Sequence, residues 1–338
     1  MQYEQLKMKI MNAKMNKDIW YDSFMETLSK KFPKKSQLTK VLMDLLLLER
    51  EAVYRRLRKD VLFTVYEVVT IVRAWNISFD NIINAPEENS AFQLKMLRSV
   101  NLTDKDFKIM ESFVESLASL KGDLNTEYIE ACNIVPLILC SEFPHIIKFY
   151  AFAWMHRYGG EKTACPFSQI VSSERMMELE RIHFRGLINI ANIHFIWDAQ
   201  MIHYLINEIS YYVSIYLITP GEANWIKQDI LAFLDYMENV LIQGHFPGTN
   251  NKVHLYISRI NIDTAYACYY SETLKVSKIR TFIMNVTVSK DHRLFNEQIN
   301  WLRMSKRTAI QISGADEKQR IDFFRQQRKL VNSIDFGG

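Results

Sequence analysis

Along most of this chain apolar residues return every third or fourth position, and only near its carboxyl end do they return every second one. The first spacing predicts helices and the second strands, because a face repeating at 3.6 or 2.0 residues is one that can be buried. Met25, Leu28 and Phe32 lie on a first helix. Ser36 then precedes Leu38, Val41, Leu42 and Leu45, which predicts a helix of about ten residues capped by Ser36, with Lys40 and Asp44 outward. Residues 49–58 form the next short helix, turning Ala52, Val53 and Leu57 to one side and arginines to the other. Residues 63–75 predict another, with Val65, Val68, Val69 and Val72 inward, and Ser78 caps a last turn over 77–83.

Helical spacing dominates residues 90–244. In Thr219-Pro-Gly-Glu222 the threonine caps, proline takes the first helical position and the glutamate bonds back to the cap. Ile226, Ile230, Phe233, Leu234, Met237, Val240 and Leu241 follow at helical steps, and Gly244 supplies a left-handed stop. Beyond Asn251 the residues become β-branched and aromatic, so 253–260, 264–270 and 279–288 are predicted as strands of a small antiparallel sheet. Helices over 291–306 and 316–331, with Gly314 between them, close the chain. The Pro-containing polar stretch 84–90 marks a boundary. The stretches 158–166 and 244–251 are loops, and no period near that of a helical-repeat array is visible.

The chain has 338 residues, with 48% hydrophobic and 24% charged, so it has ample apolar material for more than one core and is not a disordered chain. Gly (10) and Pro (7) are scarce, which disfavours many-turned all-β folds. The densest apolar run, 45–48, sits between Asp44 and Glu49, far short of the roughly 20 residues that span a bilayer. The first residues alternate cations with Glu4 and Asp18 instead of leading into an apolar block, and a cytoplasmic protein is expected. Cys132, Cys140, Cys165 and Cys268 are widely spread, with no metal-ligand spacing, so reduced thiols packed as small hydrophobes are expected, with no metal and no cofactor.

Charge becomes informative only locally. Residues 30–59 hold ten cations against Asp44, Glu49 and Glu51, a net +7 in a chain whose total is +4. Five short helices in this order, closed by the phrase Val69-Thr-Ile-Val-Arg-Ala-Trp-Asn-Ile-Ser-Phe-Asp-Asn-Ile82, resemble the Cro/phage-repressor-type (XRE-like) helix-turn-helix family over about residues 20–84. In that family the second helix crosses the DNA backbone and the third enters the major groove. The resemblance implies base-reading by Glu49, Arg50, Glu51, Tyr54 and Arg55. It places Lys34, Lys35, Gln37 and Lys40 near phosphates at the start of the second helix, and Arg56, Arg58 and Lys59 near them at the end of the third. Three positions depart from the family pattern. Met43 stands where a small residue is usual, and Leu47 and Lys59 stand where glycine is. A standard turn would force Leu47 into the left-handed region. Arg56 falls where an aliphatic residue is usually buried, a role Leu57 can take. The residues by themselves leave open a solvated basic face that meets protein or RNA.

Past residue 90 the polar aromatics Trp154, His156, Trp197 and His203 are the candidates for a ligand pocket, against the alternative that they simply fill a helical core. No P-loop, dinucleotide fingerprint, nucleophile elbow, zinc-protease or kinase signature occurs, and no enzyme is expected. The expected fold is mainly α: an extension (1–19), a five-helix helix-turn-helix domain (20–84), and a larger helical body (85–338) with a small antiparallel β-sheet at about 253–288. The expected function is a transcriptional regulator that binds double-stranded DNA as a homodimer, its carboxyl region dimerising or sensing a signal. The alternatives are a protein-interaction scaffold with a basic head, and a small-molecule receptor with its pocket in the carboxyl region.

Overall fold

The structure is a computed structural model that describes residues 19–75, 77, 93–95, 104–158, 165–170, 174–281, 285–314 and 317–336. The expected extension, the last turn with Ser78 and the boundary at 84–90 lie outside the described residues. The chain divides into two compact units, Met1–Ala91 and Phe92–Gly338.

In the first unit, α1 (Ile19–Lys31), α2 (Lys35–Leu46), α3 (Arg50–Leu57) and α4 (Val65–Ala74) enclose a core that includes Phe24, Leu28, Leu42, Val53 and Ile71. The Tyr21 hydroxyl accepts the Phe63 amide at 3.1 Å, fixing the approach to α4. That helix opens on a capping box in which Thr64 and Glu67 satisfy each other's backbone amides. Two local expectations change. Helix α2 starts at Lys35, with Lys34 at the cap position and no side-chain cap bond, so Ser36 lies inside the first turn. Val65 and Val69 face solvent while Val68 and Ile71 face the core. The cause is Glu67, which Thr64 and Arg56 draw inward; a helix that buries positions 67, 68 and 71 must turn 65 and 69 outward.

The second unit is an α/β fold around an eight-stranded mixed sheet of order β1-β7-β6-β5-β2-β3-β4-β8. The strands are β1 (Gln93–Lys95), β2 (Glu127–Cys132), β3 (Asn192–Asp198), β4 (Lys252–Ser258), β5 (Tyr266–Tyr270), β6 (Lys275–Thr281), β7 (Asn285–Ser289) and β8 (Ile310–Gln311). Strands β2, β3 and β4 are parallel, with Ile129, His194 and His254 in register; the other pairings are antiparallel. The expected mainly α fold with a small antiparallel sheet near the carboxyl end is therefore corrected. Two of the three parallel strands, β2 and β3, lie inside the stretch expected to be helical, and the run 279–288 is divided between β6 and β7.

Helices α5 (Asp104–Ala118), α6 (Pro144–Tyr158), α7 (Glu174–Leu187), α8 (Met201–Ser214) and α9 (Pro220–Gln243) contribute to a main core that takes in Phe195, Trp197 and Leu255 from the sheet. Helix α10 (His292–Thr308) packs on the opposite face, where Phe295, Ile299 and Leu302 meet Ile129, Ile196 and Cys268. Side chains on both sheet faces are thus buried, each large apolar one contributing about 1.5–3 kcal/mol, and β2 and β3 need no polar alternation. Helix α11 (Glu317–Asn332) packs on α8 and α9, and Arg328 anchors it through Asp235 and Glu238. Thr219 and Gly244 bound α9 as expected, with a capping box and a left-handed stop. The four cysteines are free thiols, three of them buried. Among the described residues no helix is long and apolar enough to cross a membrane.

Between β4 and β5 the chain passes the ends of β3 and β2 in the few residues 259–265. Buried Asp198, the last residue of β3, holds this passage: its carboxylate accepts the Gln200 amide at 2.8 Å and the Ile262 amide at 3.0 Å. Asn133 donates to the Asp263 carbonyl at 3.2 Å. The carboxyl end of β4 is thereby left beside α8 and α11.

Candidate nucleic-acid interface

The surface of the first unit is built by α2, α3 and the turn between them. Val53 roots α3 in the core, with Ala52 and Leu57 half-buried beside it, so the other sides of this helix carry Arg50, Glu51, Tyr54 and Arg55. Glu49 takes the cap position with an extended backbone and makes no cap bond. Arg50 donates to the Tyr54 hydroxyl at 3.1 Å and lies over its ring at 5.4 Å. The hydrogen bond from Arg50, its charge, and the nearby Thr39 and Lys35 hold the Tyr54 phenol below its usual pKa. Tyr54 therefore stands beside α2, and Lys35, Arg50 and Tyr54 share one surface.

The backbone is strained in the two places where glycine is missing, one in this turn and one just after α3. Leu47 adopts φ 54°, ψ 42° and Lys59 adopts φ 65°, the left-handed region that glycine occupies without penalty. Leu47 is 90% exposed, so its side chain gains nothing from the core in return.

The twelve expected contact residues separate into two groups. Lys34, Lys35, Lys40 and Arg55 are exposed and make no side-chain ion pair among the described residues, and Gln37 lies exposed among them. The first-turn amides of α2 have no side-chain cap and point the same way as its macrodipole, a disposition that suits phosphate. At the far end of α3 each cation is engaged. Arg58 pairs with Glu51 and Asp60 at 3.0 Å each, and Lys59 with Asp22. Arg56 is held largely out of solvent in a bidentate pair with buried Glu67 and also donates to the Ala52 carbonyl at 3.2 Å. Arg56 is the correction here: it occupies the core position that sequence assigned to an aliphatic residue, with Leu57 half-buried beside it, and its guanidinium is not available to a phosphate.

The four aromatics expected to form a pocket do not act as one. Trp197 is fully buried on β3 and stacks on Phe233 at 5.7 Å; Trp154 is buried on α6. His156 lies edge-on to Tyr212 at 5.2 Å. Of the four, His203 alone lines a groove of about 600 Å³ beside β4 and α11. The sequence signals that missed this groove are ordinary ones: its residues come from α8, β4, β8 and α11, far apart in the chain and brought together only by the sheet order. No group of three or more metal-ligating side chains occurs among the described residues.

Comparison with family models, curated proteins and solved structures returns no match for this chain.

Proposed function

We propose that the chain is a sequence-specific DNA-binding transcriptional regulator, a homodimer that sets α3 of each first unit in the major groove. The observation that carries this reading is the separation of charge just described. Lys34, Lys35, Lys40 and Arg55 stand without carboxylate partners beside the Arg50–Tyr54 pair, whereas the cations at the far end of α3 are internally neutralised. Unpaired cations on one face suit a phosphate backbone, and bidentate arginine on an exposed helix suits guanine. Dimerisation follows from the shortness of α3, which reads only a few base pairs unless two-fold symmetry doubles the site. The larger second unit would then dimerise or receive a signal.

The test is retention of a genomic DNA library by the full chain and by its Arg50→Ala/Arg55→Ala variant at two salt concentrations, with sequencing of what is kept. Enrichment of a two-fold symmetric site that the variant loses is the expected result. Retention that is unenriched and indifferent to the substitutions would overturn the reading and leave a basic head that meets protein.

A further inference from the structure

We infer that the groove at the carboxyl end of β4 binds a small amphipathic monoanion: the acid group at Arg259 and the start of α8, the apolar body along Ile310 and Phe323, and an amide or hydroxyl against Gln327. The inference concerns the second unit alone and does not depend on what the first unit binds.

Position comes first. In open sheets with parallel strands, ligands sit outside the carboxyl ends of those strands, and here the short passage 259–265, held by Asp198, keeps that end of β4 open toward α11. The groove's volume of about 600 Å³ is that of a small-molecule site. Its walls divide by chemistry. Ile310 and Ile312 of the edge-strand segment and Phe323 and Leu330 of α11 form the apolar part. Ala199, Gln200 and His203 bring the amino end of the 14-residue α8 to the groove; the Ala199 and Gln200 amides are held by the Ser258 carbonyl and the Asp198 carboxylate, and the helix dipole favours negative charge there.

Charge fixes the class of ligand. Asp322, the groove's carboxylate, is paired with Arg325 at 3.4 Å. Arg259 lines the same groove, is exposed, and has no ion-pair partner among the described residues. Among the lining residues the uncompensated charge is therefore one positive charge, that of Arg259; the Asp198 carboxylate near the amino end of α8 is taken up by the Gln200 and Ile262 amides.

Gln327 is the second, independent sign. Its side chain is only 8% exposed, it lines the groove, and it has no hydrogen-bond partner among the described residues. Its amide is not sealed in the interior but opens on the groove, where a ligand can reach it. The next residue, Arg328, is engaged by two carboxylates of α9, whereas the Gln327 side chain lies at the groove. A ligand amide or hydroxyl would satisfy Gln327 while the apolar body covers the isoleucines.

The probe is 8-anilinonaphthalene-1-sulfonate, itself a small monoanion with an aromatic body and an N–H, titrated by fluorescence into the full chain. Saturable binding of one dye per chain is expected, displaced by octanoate and N-acetylleucine and not by octylammonium. Arg259→Gln, a surface substitution, should weaken it at least tenfold. Gln327→Leu should weaken it at least threefold while leaving the melting temperature equal or higher, because an apolar residue of similar size removes an unpartnered amide. Dye affinity within twofold of wild type in Arg259→Gln, equal displacement by octylammonium, or no saturable binding would each overturn the inference. So would a Gln327→Leu variant that melts lower and binds unchanged.

Discussion

Arg56 of α3 and Glu67 of α4 are joined by two parallel hydrogen bonds, Nε to Oε2 at 2.9 Å and Nη2 to Oε1 at 2.7 Å, with both side chains nearly out of solvent. Glu67 also accepts the Thr64 amide at 2.8 Å, so one carboxylate caps α4, sets its rotation and holds the far end of α3. A planar guanidinium fits this place and an ammonium does not.

Removing either partner leaves the other charged and buried. Arg56→Ala and Glu67→Gln are each expected to destabilise the first unit by about 3 kcal/mol. Arg56→Met combined with Glu67→Leu should recover most of the loss. Hydrogen exchange of the α3 and α4 amides in the full chain measures this, and single variants that exchange as slowly as wild type would refute it. Burial pushes the Glu67 carboxyl up, but the Arg56 guanidinium and the Thr64 amide outweigh it and hold the pKa below the ordinary glutamate value of 4.5. The stabilisation is thus complete above that value and is lost as pH falls below it.

Leu47→Gly is expected to stabilise the first unit by about 0.5–1 kcal/mol. Relief of a left-handed leucine is worth about 1–2 kcal/mol, less the greater freedom of glycine in the unfolded chain. Leucine here is 90% exposed, so almost no burial is given up. Lys59→Gly should gain less, since it also removes the pair with Asp22. Denaturant midpoints of the two variants decide it; a lower midpoint for Leu47→Gly would show that the turn is held by the side chain.

How far the sequence could be read differs sharply between the two units. The helices of the first unit follow from Leu28, Leu38, Leu42 and Val53 at helical steps, each facing one core, and the demand for a left-handed Leu47 was visible in the turn itself. Which face α4 buries was not, because it depends on Arg56 reaching Glu67, a contact across eleven residues that no periodicity carries. In the second unit, Tyr128-Ile-Glu-Ala-Cys132 and Ile193-His-Phe-Ile-Trp197 are covered on both faces and lack the alternation that identifies a half-buried strand. The pairing of β2 with β3 and of β3 with β4, each some sixty residues further along, belongs to the topology. Trp197 drew attention as a polar aromatic, yet its place is the core under α9; Arg259 and Gln327 carry no local signal.

The charge separation around α3 gives the proposed DNA contact a quantitative form. Lys35→Ala and Lys40→Ala should each weaken binding to all sequences alike and lower the slope of log K against log salt by about 0.9, one phosphate apiece. Arg58→Ala should change the slope far less, because its charge is shared with Glu51 and Asp60. Arg55→Ala should cost about 1–3 kcal/mol on the preferred site and relax the choice of base at one position. Filter binding of the full chain at three salt concentrations tests these together; equal slopes for the three variants would refute the assignment.

His194 of β3 and His254 of β4 stack ring on ring at 4.8 Å on the sheet face covered by α10. Burial, then the Lys306 ammonium, then His254 itself press the His194 pKa down to about 3, and burial with Lys306 and Lys252 lowers that of His254. Glu127 stands 3.9 Å from His194 Nε2 and accepts the Tyr270 hydroxyl, so its charge is too distant and too shared to reverse this. The unfolded chain takes up its histidine protons near pH 6.5, whereas folded His194 does not until about pH 3. Stability of the second unit therefore rises with pH inside that window and falls as pH drops from 6.5 toward 3. Fully shielded, one such group would give about 2 kcal/mol between pH 6.5 and 5; with the solvent contact His194 retains, about 1 kcal/mol is expected. His194→Phe keeps the stacked ring and removes the titration, so its denaturant midpoint should fall less steeply over the same interval. Parallel pH profiles for wild type and variant would mean that the acid sensitivity of this unit lies elsewhere.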